Sequence, residues 1–374
     1  MQQTITLKIK LLVQPSELQT ICNTMKAYSV ACNFVSAYIF KTHCLTRKKI
    51  HDALYYKLRE EFHMRSQMAE SCIRNVITKY KTILSTENKW IQPSFKSQLE
   101  LVYNRDYSLN IKKNLFSVNT LEGRIKVSFC NNHFEKYFAE EYQFGSAKLI
   151  EHNHKIFLYI PVTYDINVLD KKDVCNVVGI DRGIRFIAVT YDSKGKSKFY
   201  DGKEVKCKRA HYKNLRKELQ QVGTASSRRR LKKIGQRENR WMQDVNHCIS
   251  KALVESNPKG TLFILEDLSN IRKATEKVRL KNRYISVSWS YYDLEQKLIY
   301  KALRNHQLVE KVDAKYTSQT CPKCGHTTKS NRDKRLHRFC CKNCGYKSND
   351  DRIGAMNLYR KGIELLSNGT VSTE

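Results

Sequence analysis

CPKCGHTTKSNRDKRLHRFCCKNCGYKSNDD, residues 321–351, contains two cysteine pairs followed by acidic residues. Cys321 and Cys324 form the first pair, Cys341 and Cys344 form the second, and 16 residues separate the pairs. This spacing is typical of a structural zinc site, in which each tight turn directs two sulfurs to one ion. A glycine after each pair permits the left-handed backbone that such turns often need. The stretch therefore predicts a small module that holds one structural Zn²⁺.

The remaining cysteines do not form a comparable pattern. Cys340 directly precedes Cys341, and the spacing to Phe339 and Gly345 favours Cys341 as the ligand, which leaves Cys340 spare. Eight further cysteines are scattered between positions 22 and 248 without a pairing rhythm. Reduced and mostly buried thiols are expected there. For the quartet itself, two redox-active pairs are the alternative, which is disfavoured because no thioredoxin-like βαβ pattern surrounds it. The expected location is a reducing one, cytoplasmic and nucleoid-associated.

The charge of the chain is strongly positive. Its 374 residues include 68 Lys and Arg against 36 Asp and Glu, a net charge of +32. The positive side chains repel one another and destabilise the compact chain unless a polyanion neutralises them. Nucleic acid is the natural partner, because binding to its phosphates releases counterions. A ribosomal-type binder or a membrane-surface protein are the alternatives. No membrane association is expected, since the apolar runs are too short to span and the N-terminus has the pattern of a strand rather than of a signal peptide.

The first half of the chain changes character twice. Residues 4–12 alternate as a half-buried strand does, residues 16–90 carry apolar side chains at helical spacing, and residues 94–168 are strand-like segments between polar turns. A sheet or barrel that recruits the first strand, with a domain of three or four helices inserted, is the economical interpretation.

The second half alternates strands and helices. We expect a β-hairpin over 177–192, a basic helical stretch over 203–240, helices over 241–256, 289–303 and 353–366, and strands over 261–265 and 308–313. The stretch 203–240 contains 14 Lys and Arg against three Glu. Ordinary solvated helices mix both signs, so this stretch favours sequence-independent contact with nucleic-acid backbone, although a solvated face remains the alternative.

Three acids occupy comparable positions. Asp181 and Glu266 each end an apolar run, VVGID and LFILE, and Asp351 opens the helical run DRIGAMNLY. Acids at strand ends and at a helix N-terminus can meet at one edge of a sheet. Such clusters hold two divalent ions roughly 4 Å apart for phosphodiester hydrolysis, and Mg²⁺ suits them because it prefers oxygen ligands. Each acid alone is also consistent with an ordinary turn or cap residue.

The order of several short blocks resembles the TnpB family, the RNA-guided nucleases of insertion sequences formerly named OrfB transposases. The blocks are Val178-Gly-Ile-Asp181-Arg-Gly183, Arg237-Glu-Asn-Arg240, Val245-Asn-His247, Leu265-Glu266-Asp267-Leu268, Trp289-Ser290-Tyr291, Lys301-Ala302, Tyr316-Thr-Ser-Gln-Thr-Cys321 and Asp351-Arg-Ile-Gly-Ala355-Met-Asn357. The likeness covers about residues 172–360, and residues 1–170 match in outline only.

One block departs from the family pattern. The family often has Asn-Ala-Ala after its third acid, whereas this chain has Ile353-Gly354-Ala355. The third catalytic acid could therefore be Asp350, but Asp351 is preferred because only it keeps Asn357 six residues on.

The resemblance implies a multidomain α+β protein. It predicts an RNase H-like (RuvC) nuclease core at 171–374, with a zinc ribbon inserted at 316–348. It also predicts an N-terminal β-barrel-like wedge domain formed by 1–14 and 93–170, into which a helical recognition domain at 15–92 is inserted.

The resemblance further implies an RNA-guided DNA endonuclease that cuts double-stranded DNA next to a short flanking motif. Asp181, Glu266 and Asp351 would be its catalytic residues and would bind two Mg²⁺, with a guide RNA and the target DNA as partners. Alternatives are a compact type V CRISPR effector, a nuclease-inactive RNA-guided repressor, and a guide-independent resolvase or transposase. A repressor should lack one of the acids, and a small resolvase would need neither the helical insertion nor the zinc module.

Overall fold

The chain forms two compact units, Met1–Asp165 and Ile166–Glu374. The computed structural model describes residues 1–131, 134–152, 154–268 and 291–369. Within these residues no helix combines the length and the apolar character needed to cross a membrane.

The first unit is built on an eight-stranded sheet in the order β2-β7-β8-β1-β5-β4-β3, with β6 paired to β8. Its strands are β1 (Gln2–Leu12), β2 (Gln98–Leu101), β3 (Tyr107–Asn110), β4 (Leu115–Thr120), β5 (Gly123–Phe129), β6 (Gln143–Phe144), β7 (Ala147–His152) and β8 (Lys155–Asp165). The prediction that the strands after residue 94 recruit the first strand is confirmed. The protein has the mixed α and β composition that the sequence predicted.

The first strand lies at the centre of this sheet. It runs antiparallel to β8, with Gln2 opposite Asp165 and Lys10 opposite Phe157, and its last residues pair with β5. The alternation seen in the sequence has a direct structural counterpart, because every second side chain from Leu7 onward is buried. The strand thus connects the two parts of the sheet, because residues 2–10 pair with β8 and residues 11–12 pair with β5.

Three helices separate β1 from the rest of its sheet: α1 (Pro15–Thr42), α2 (Arg47–Glu60) and α3 (Ser66–Glu87). Proline at the first position suits the start of α1, and Glu17 accepts the Gln14 backbone N–H at 2.8 Å, which satisfies a donor outside the first turn. The buried side chains of α1 recur at helical spacing and join the core under the sheet. The predicted helical insertion is confirmed with three helices.

The second unit contains a five-stranded sheet in the order β11-β10-β9-β12-β13. Its strands are β9 (Asn176–Asp181), β10 (Phe186–Asp192), β11 (Ser197–Asp201), β12 (Thr261–Glu266) and β13 (Leu308–Val312). Strands β9, β10 and β11 form an antiparallel meander, whereas β12 is parallel to both β9 and β13. The predicted hairpin and the two later strands are confirmed.

Helices cover both faces of this sheet. The described helices of the second unit are α4 (Lys203–Val222), α5 (Ala225–Ile234), α6 (Arg237–Glu255), α7 (Tyr291–Arg304) and α8 (Asp350–Gly369). Even-numbered β9 residues such as Ile180 pack with α6 and α7, and odd-numbered ones such as Val177 pack with α8. Continuous apolar strands with helices on both sides explain why VVGID and LFILE show no alternation. The start of the predicted helix at Trp289 and Ser290 lies outside the described residues.

Helix α8 packs unusually close to β9. A Cβ on Gly179 would lie 2.1 Å from the backbone oxygen of Ala355 and 2.4 Å from the backbone nitrogen of Tyr359. Only glycine permits this approach, since a Cβ has no room between the two backbones. The contact fixes the N-terminal end of α8 beside the end of β9.

The cysteine module lies between β13 and α8. It contains the short strands β14 (Arg332–Asp333), β15 (Arg338–Cys340) and β16 (Lys347–Asn349), which form a three-stranded antiparallel sheet. Gly325 and Gly345 follow the two cysteine pairs with φ values of +73° and +71°. The expectation of left-handed glycines in both turns is therefore confirmed.

Candidate active site

The three predicted acids meet at one edge of the five-stranded sheet. Ile180 and Leu265 are register partners on the parallel strands β9 and β12, so Asp181 and Glu266, which follow them, lie side by side. Helix α8 brings Asp351 to the same place in its first turn. A Cβ on Gly354 would lie 2.9 Å from the Asp181 carboxylate, which shows how closely α8 approaches that strand end.

The acids line a single cleft of about 800 Å³. Asp181, Glu266 and Asp351 lie on its wall together with His337. The cleft is also rich in cationic side chains, namely Arg182, Arg185, Lys203, Lys206 and Arg332. An acidic centre with a basic rim is suited to a polyanion whose reacting phosphate must approach a cation.

The acids oppose one another's ionisation. Burial raises the pKa of Asp181 well above its usual value, and the charges of Glu266 and Asp351 raise it further. Burial also raises the pKa of Glu266 and of Asp351, the latter with a contribution from Asp350. Crowded carboxylates of this kind favour a bound cation, because a divalent ion supplies the charge that their neighbours lack. The donor set therefore fits Mg²⁺.

Glu266 is held by two neighbours that the sequence did not single out for this role. The Thr317 hydroxyl donates to Glu266 Oε1 at 2.6 Å, and Arg182 Nη2 donates to the Glu266 backbone oxygen at 2.5 Å. Arg182 is itself fixed, because its Nη1 donates to Glu295 Oε2 at 3.0 Å in the buried interior. Both the side chain and the backbone of Glu266 are thereby oriented.

Asn357 explains the six-residue spacing after Asp351. Its Nδ2 donates to the backbone oxygens of Thr317 at 2.6 Å and Thr320 at 2.8 Å, which ties α8 to the segment before the first cysteine pair. Since Thr317 also contacts Glu266, one short segment connects the second acid with the helix that carries the third.

Asp350 and Asp351 occupy different environments. Asp350 is fully buried and pairs with Arg332 Nε at 2.7 Å, whereas Asp351 lines the cleft. This arrangement supports the choice of Asp351 over Asp350 as the third cleft acid. Asp350 instead orients Arg332, whose side chain also contributes to the cleft.

His337 completes a compact group that the sequence did not indicate. Two sets of His, Cys, Asp or Glu within the described ranges have ligand atoms all within 4.8 Å of one another: the cysteine quartet, and His337 with Asp350 and Asp351. Asp181 and Glu266 stand outside the second set, on the neighbouring strand ends. Nothing around position 337 in the sequence marks the histidine, because its partners arise only when the cysteine module folds against α8.

The four predicted zinc ligands come together. Cys321 Sγ and Cys344 Sγ lie 3.6 Å apart, and Cys324 Sγ and Cys341 Sγ lie 3.5 Å apart. Tetrahedral Zn–S bonds of about 2.3 Å require sulfurs about 3.8 Å apart, so the quartet fits one zinc ion. Cys340 lies outside the quartet.

The basic stretch is helical, but part of it serves the fold. Arg209 and Arg216 reach Glu238 at 3.8 Å and 2.6 Å, and Arg209 and Glu238 are buried. The cations of α5, among them Arg229, Arg230 and Lys233, are exposed. The exposed part of the stretch thus remains a candidate surface for phosphates.

The fold is a mixed α and β one, and three acids from two strands and one helix line its cleft. Residues 159–279 match the family model OrfB_IS605, described as a probable transposase, and residues 291–358 match the Cas12f1-like TNB domain. Both matches agree with the resemblance to the TnpB family, which is confirmed.

Curated relatives carry related names. The chain is 27% identical over 69% of its length to a CRISPR-associated endodeoxyribonuclease Cas12f1 of Sulfoacidibacillus thermotolerans. It is 29% identical over 64% of its length to the TnpB-like protein MJ0751 of Methanocaldococcus jannaschii, of which 88% is covered. It is 28% identical over 52% of its length to the putative RNA-guided DNA endonuclease InsQ of Escherichia coli, of which 51% is covered. The chain spans 62% and 41% of the two Cas12f1 relatives that it matches.

Solved structures share the fold at low identity. A Cas12f1–sgRNA–target DNA complex matches with a TM-score of 0.55 at 12% identity, over 91% of this chain and 83% of that chain. The mini-RNA-guided endonuclease CRISPR-Cas_phi3 matches with a TM-score of 0.53 at 11% identity, over 96% of this chain and 92% of that chain.

Proposed function

We propose that the protein is an RNA-guided DNA endonuclease of the TnpB type, with its active site in the cleft formed by Asp181, Glu266 and Asp351. The observation that carries the proposal is the convergence of these acids, from two strand ends and one helix start, in a cleft with a basic rim. The names of the relatives, which include endodeoxyribonucleases and an RNA-guided DNA endonuclease, support the same reaction.

The proposed chemistry is metal-dependent phosphodiester hydrolysis. Asp181, Glu266 and Asp351 would hold two Mg²⁺, which supply activation of the attacking water and charge stabilisation at the leaving oxygen. Thr317 orients the Glu266 side chain, and Arg182 fixes its backbone. Arg332 and the other rim cations attract the phosphate backbone and orient it at the acids. The cysteine quartet would hold one Zn²⁺ as a structural ion.

The domain roles follow from the same proposal. The sheet of the second unit with its helices, 171–374, would be the RuvC-like nuclease core, and the cysteine module at 316–348 its zinc ribbon. Residues 1–14 and 93–170, which extend five residues past the end of the first unit at Asp165, would form the wedge domain, and 15–92 the recognition domain. A guide RNA would pair with the target strand while these N-terminal domains read a short flanking motif in double-stranded DNA, and the nucleoid is then the site of action.

Asp181→Ala in the full chain tests the site. We expect it to abolish cleavage of a DNA target while the variant still copurifies with RNA, because the carboxylate is removed and the RNA-binding surfaces are intact. Asp192→Asn is the matched control: Asp192 also ends a strand of this sheet, and its Oδ1 accepts two turn amides that asparagine can still bind. Cleavage retained by purified Asp181→Ala would refute the assignment.

A type V CRISPR effector is the second candidate, and the match of residues 291–358 to a Cas12f1-like domain favours it. Sequencing the RNA that copurifies with the expressed locus separates the two. A guide derived from the end of an insertion sequence supports the TnpB type, whereas a guide with repeat and spacer segments supports the CRISPR type. Absence of any structured RNA, with cutting that follows no guide, would contradict both.

A further inference from the structure

An exposed phenylalanine lies in the same cross-strand row as Asp181. Phe199 on β11 is opposite Val189 on β10, and Val189 is opposite Asp181 on β9. Directly opposed residues project from the same face of a sheet, and neighbouring strands lie about 4.8 Å apart. Phe199 is therefore on the face of the acids, two strands away or about 10 Å at the backbone.

Phe199 is the outer part of an aromatic pair that begins in the cleft. Its ring centroid is 5.0 Å from that of Phe186, which lines the cleft, and the planes meet at 64°. The Arg185 guanidinium lies 5.5 Å from the centroid of the Phe186 ring. Phe199 itself is 41% exposed on an edge strand. Isolated exposed apolar residues are ordinary, but this ring extends an aromatic surface from the cleft to the edge of the sheet.

Positive charge accompanies the rings. Arg185, Lys203 and Lys206 line the cleft beside Phe186. Helix α4 starts at Lys203, and the Gly202 amide before it donates to the Arg185 backbone oxygen at 2.8 Å, which places the positive end of the helix dipole at this rim. Proteins bind unpaired nucleic acid by stacking aromatic rings on its bases and by placing cationic side chains beside its phosphates.

We propose that Phe199, backed by Phe186, is the stacking platform for an unpaired base of the strand that enters the cleft. The ligand class is single-stranded nucleic acid, because a base within a duplex has both faces covered by its neighbours. Arg185, Lys203 and Lys206 hold the adjoining phosphates, and the strand then continues past Phe186 through the cleft to the acids. This inference rests on the proposed function and adds the residue that positions the entering strand.

Photocrosslinking tests the contact directly. A single-stranded DNA of about 12 nucleotides that carries 5-iododeoxyuridine is irradiated with the full chain bearing Asp181→Ala, and the crosslinked peptide is identified by mass spectrometry. We expect the crosslink at Phe199 or Phe186, and at least several-fold less of it with the same sequence as a duplex. Crosslinks confined to other aromatic residues, or an equal yield with the duplex, would overturn the proposal.

Variants in the cleavage-competent chain provide the second test. Phe199→Leu keeps an apolar side chain without a ring, and we expect it to raise KM for single-stranded DNA by roughly 5- to 100-fold with a small change in kcat. Phe199→Trp, which keeps an aromatic ring, should have the KM of the wild type. Phe40→Leu, at a phenylalanine of similar exposure on α1, is the matched control and should behave as wild type.

The two hypotheses fail separately. An unchanged KM in Phe199→Leu, with cleavage abolished by Asp181→Ala, would refute the stacking role of Phe199 and still support the nuclease site. Cleavage retained by Asp181→Ala would instead refute the assignment of the nuclease site, whatever the result for Phe199→Leu.

Discussion

Asp181 is an acid at which function and stability oppose each other. It lies beside Glu266 and Asp351, and burial together with their charges raises its pKa well above the ordinary value. The folded chain therefore holds the proton more tightly than the unfolded chain does. Such a carboxyl stabilises the folded state at low pH. This contribution to the free energy of unfolding is lost as the pH rises from the pKa in the unfolded chain to the higher pKa in the folded chain.

Asp181→Asn should therefore stabilise the protein at neutral pH in buffer free of magnesium. The amide removes a crowded negative charge at nearly constant volume, and each kcal/mol gained raises Tm by about 2–4 °C for a domain of this size. Thermal unfolding at several pH values checks this, and the Tm difference should shrink as pH falls towards about 4, where the unfolded carboxyl takes up its own proton.

Two further measurements sharpen the result. Magnesium should raise the Tm of the wild type more than that of Asp181→Asn, since only the intact acids bind the ion well. Asp192→Asn, at the turn after β10, should show neither effect. An Asp181→Asn variant that is less stable than the wild type at neutral pH would contradict the crowding of the acids.

The three acids could be predicted from the sequence, whereas the residues that support them could not. Asp181 and Glu266 end recognisable apolar runs, and Asp351 opens a helix. Thr317 and Arg182 act on Glu266 from 51 and 84 residues away in the chain. Such contacts depend on how separate elements dock, which no local spacing encodes. His337 is similar, because it meets Asp350 only across the fold of the cysteine module.

At the scale of elements, the cysteine module is joined to the proposed active site. The segment before Cys321 carries Thr317, whose hydroxyl contacts Glu266 and whose backbone oxygen accepts from Asn357. Loss of the metal should therefore affect more than the module itself. We expect Cys324→Ser to lower bound zinc from about one ion per chain to a small fraction, as measured by atomic absorption, and to reduce cleavage because Glu266 loses its support.

Cys340→Ser is the matched control for this prediction. Cys340 is adjacent to Cys341 but lies on β15, where it pairs with Lys347 and takes no part in the quartet. It should keep both zinc and cleavage. Pure wild-type protein without zinc, or equal zinc loss in the two variants, would show that the quartet is not the metal site.

The elements themselves were largely predictable, and their partners less so. Alternation identified β1, and uninterrupted apolar runs identified β9 and β12 as strands, which the structure shows to be buried on both faces. The sequence of β1 does not identify its partner strand. Its partner β8 begins only at Lys155, and the pairing depends on how the three inserted helices return the chain to β1. The RuvC and wedge assignments stay proposals that rest on resemblance.

At the scale of the molecule, the net charge of +32 should govern affinity for nucleic acid. Binding is expected to weaken steeply with salt, because each phosphate that the protein neutralises contributes about 0.7 to 0.9 to the slope of log K against log salt. Replacing the exposed Arg229, Arg230 and Lys233 of α5 by alanine should reduce that slope by about 2 to 3 if the basic stretch contacts phosphates.

A charge-conserving variant is the control for that measurement. Arg229→Lys, Arg230→Lys and Lys233→Arg keep three cations, so the slope should stay at the wild-type value. An alanine variant with an unchanged slope would assign the α5 face to solvent and leave phosphate binding to other cations.

The order of the acids along the chain also has a consequence in time. Asp351 is made 351 − 181 = 170 residues after Asp181, and a ribosome that adds about 5–20 residues per second takes roughly 10–30 s over that interval. A nascent chain therefore lacks the third acid of the proposed site, and the helix that packs on β9, until nearly all of it has been made. If the three acids form the active site, as proposed, cleavage can begin only after helix α8 has left the ribosome.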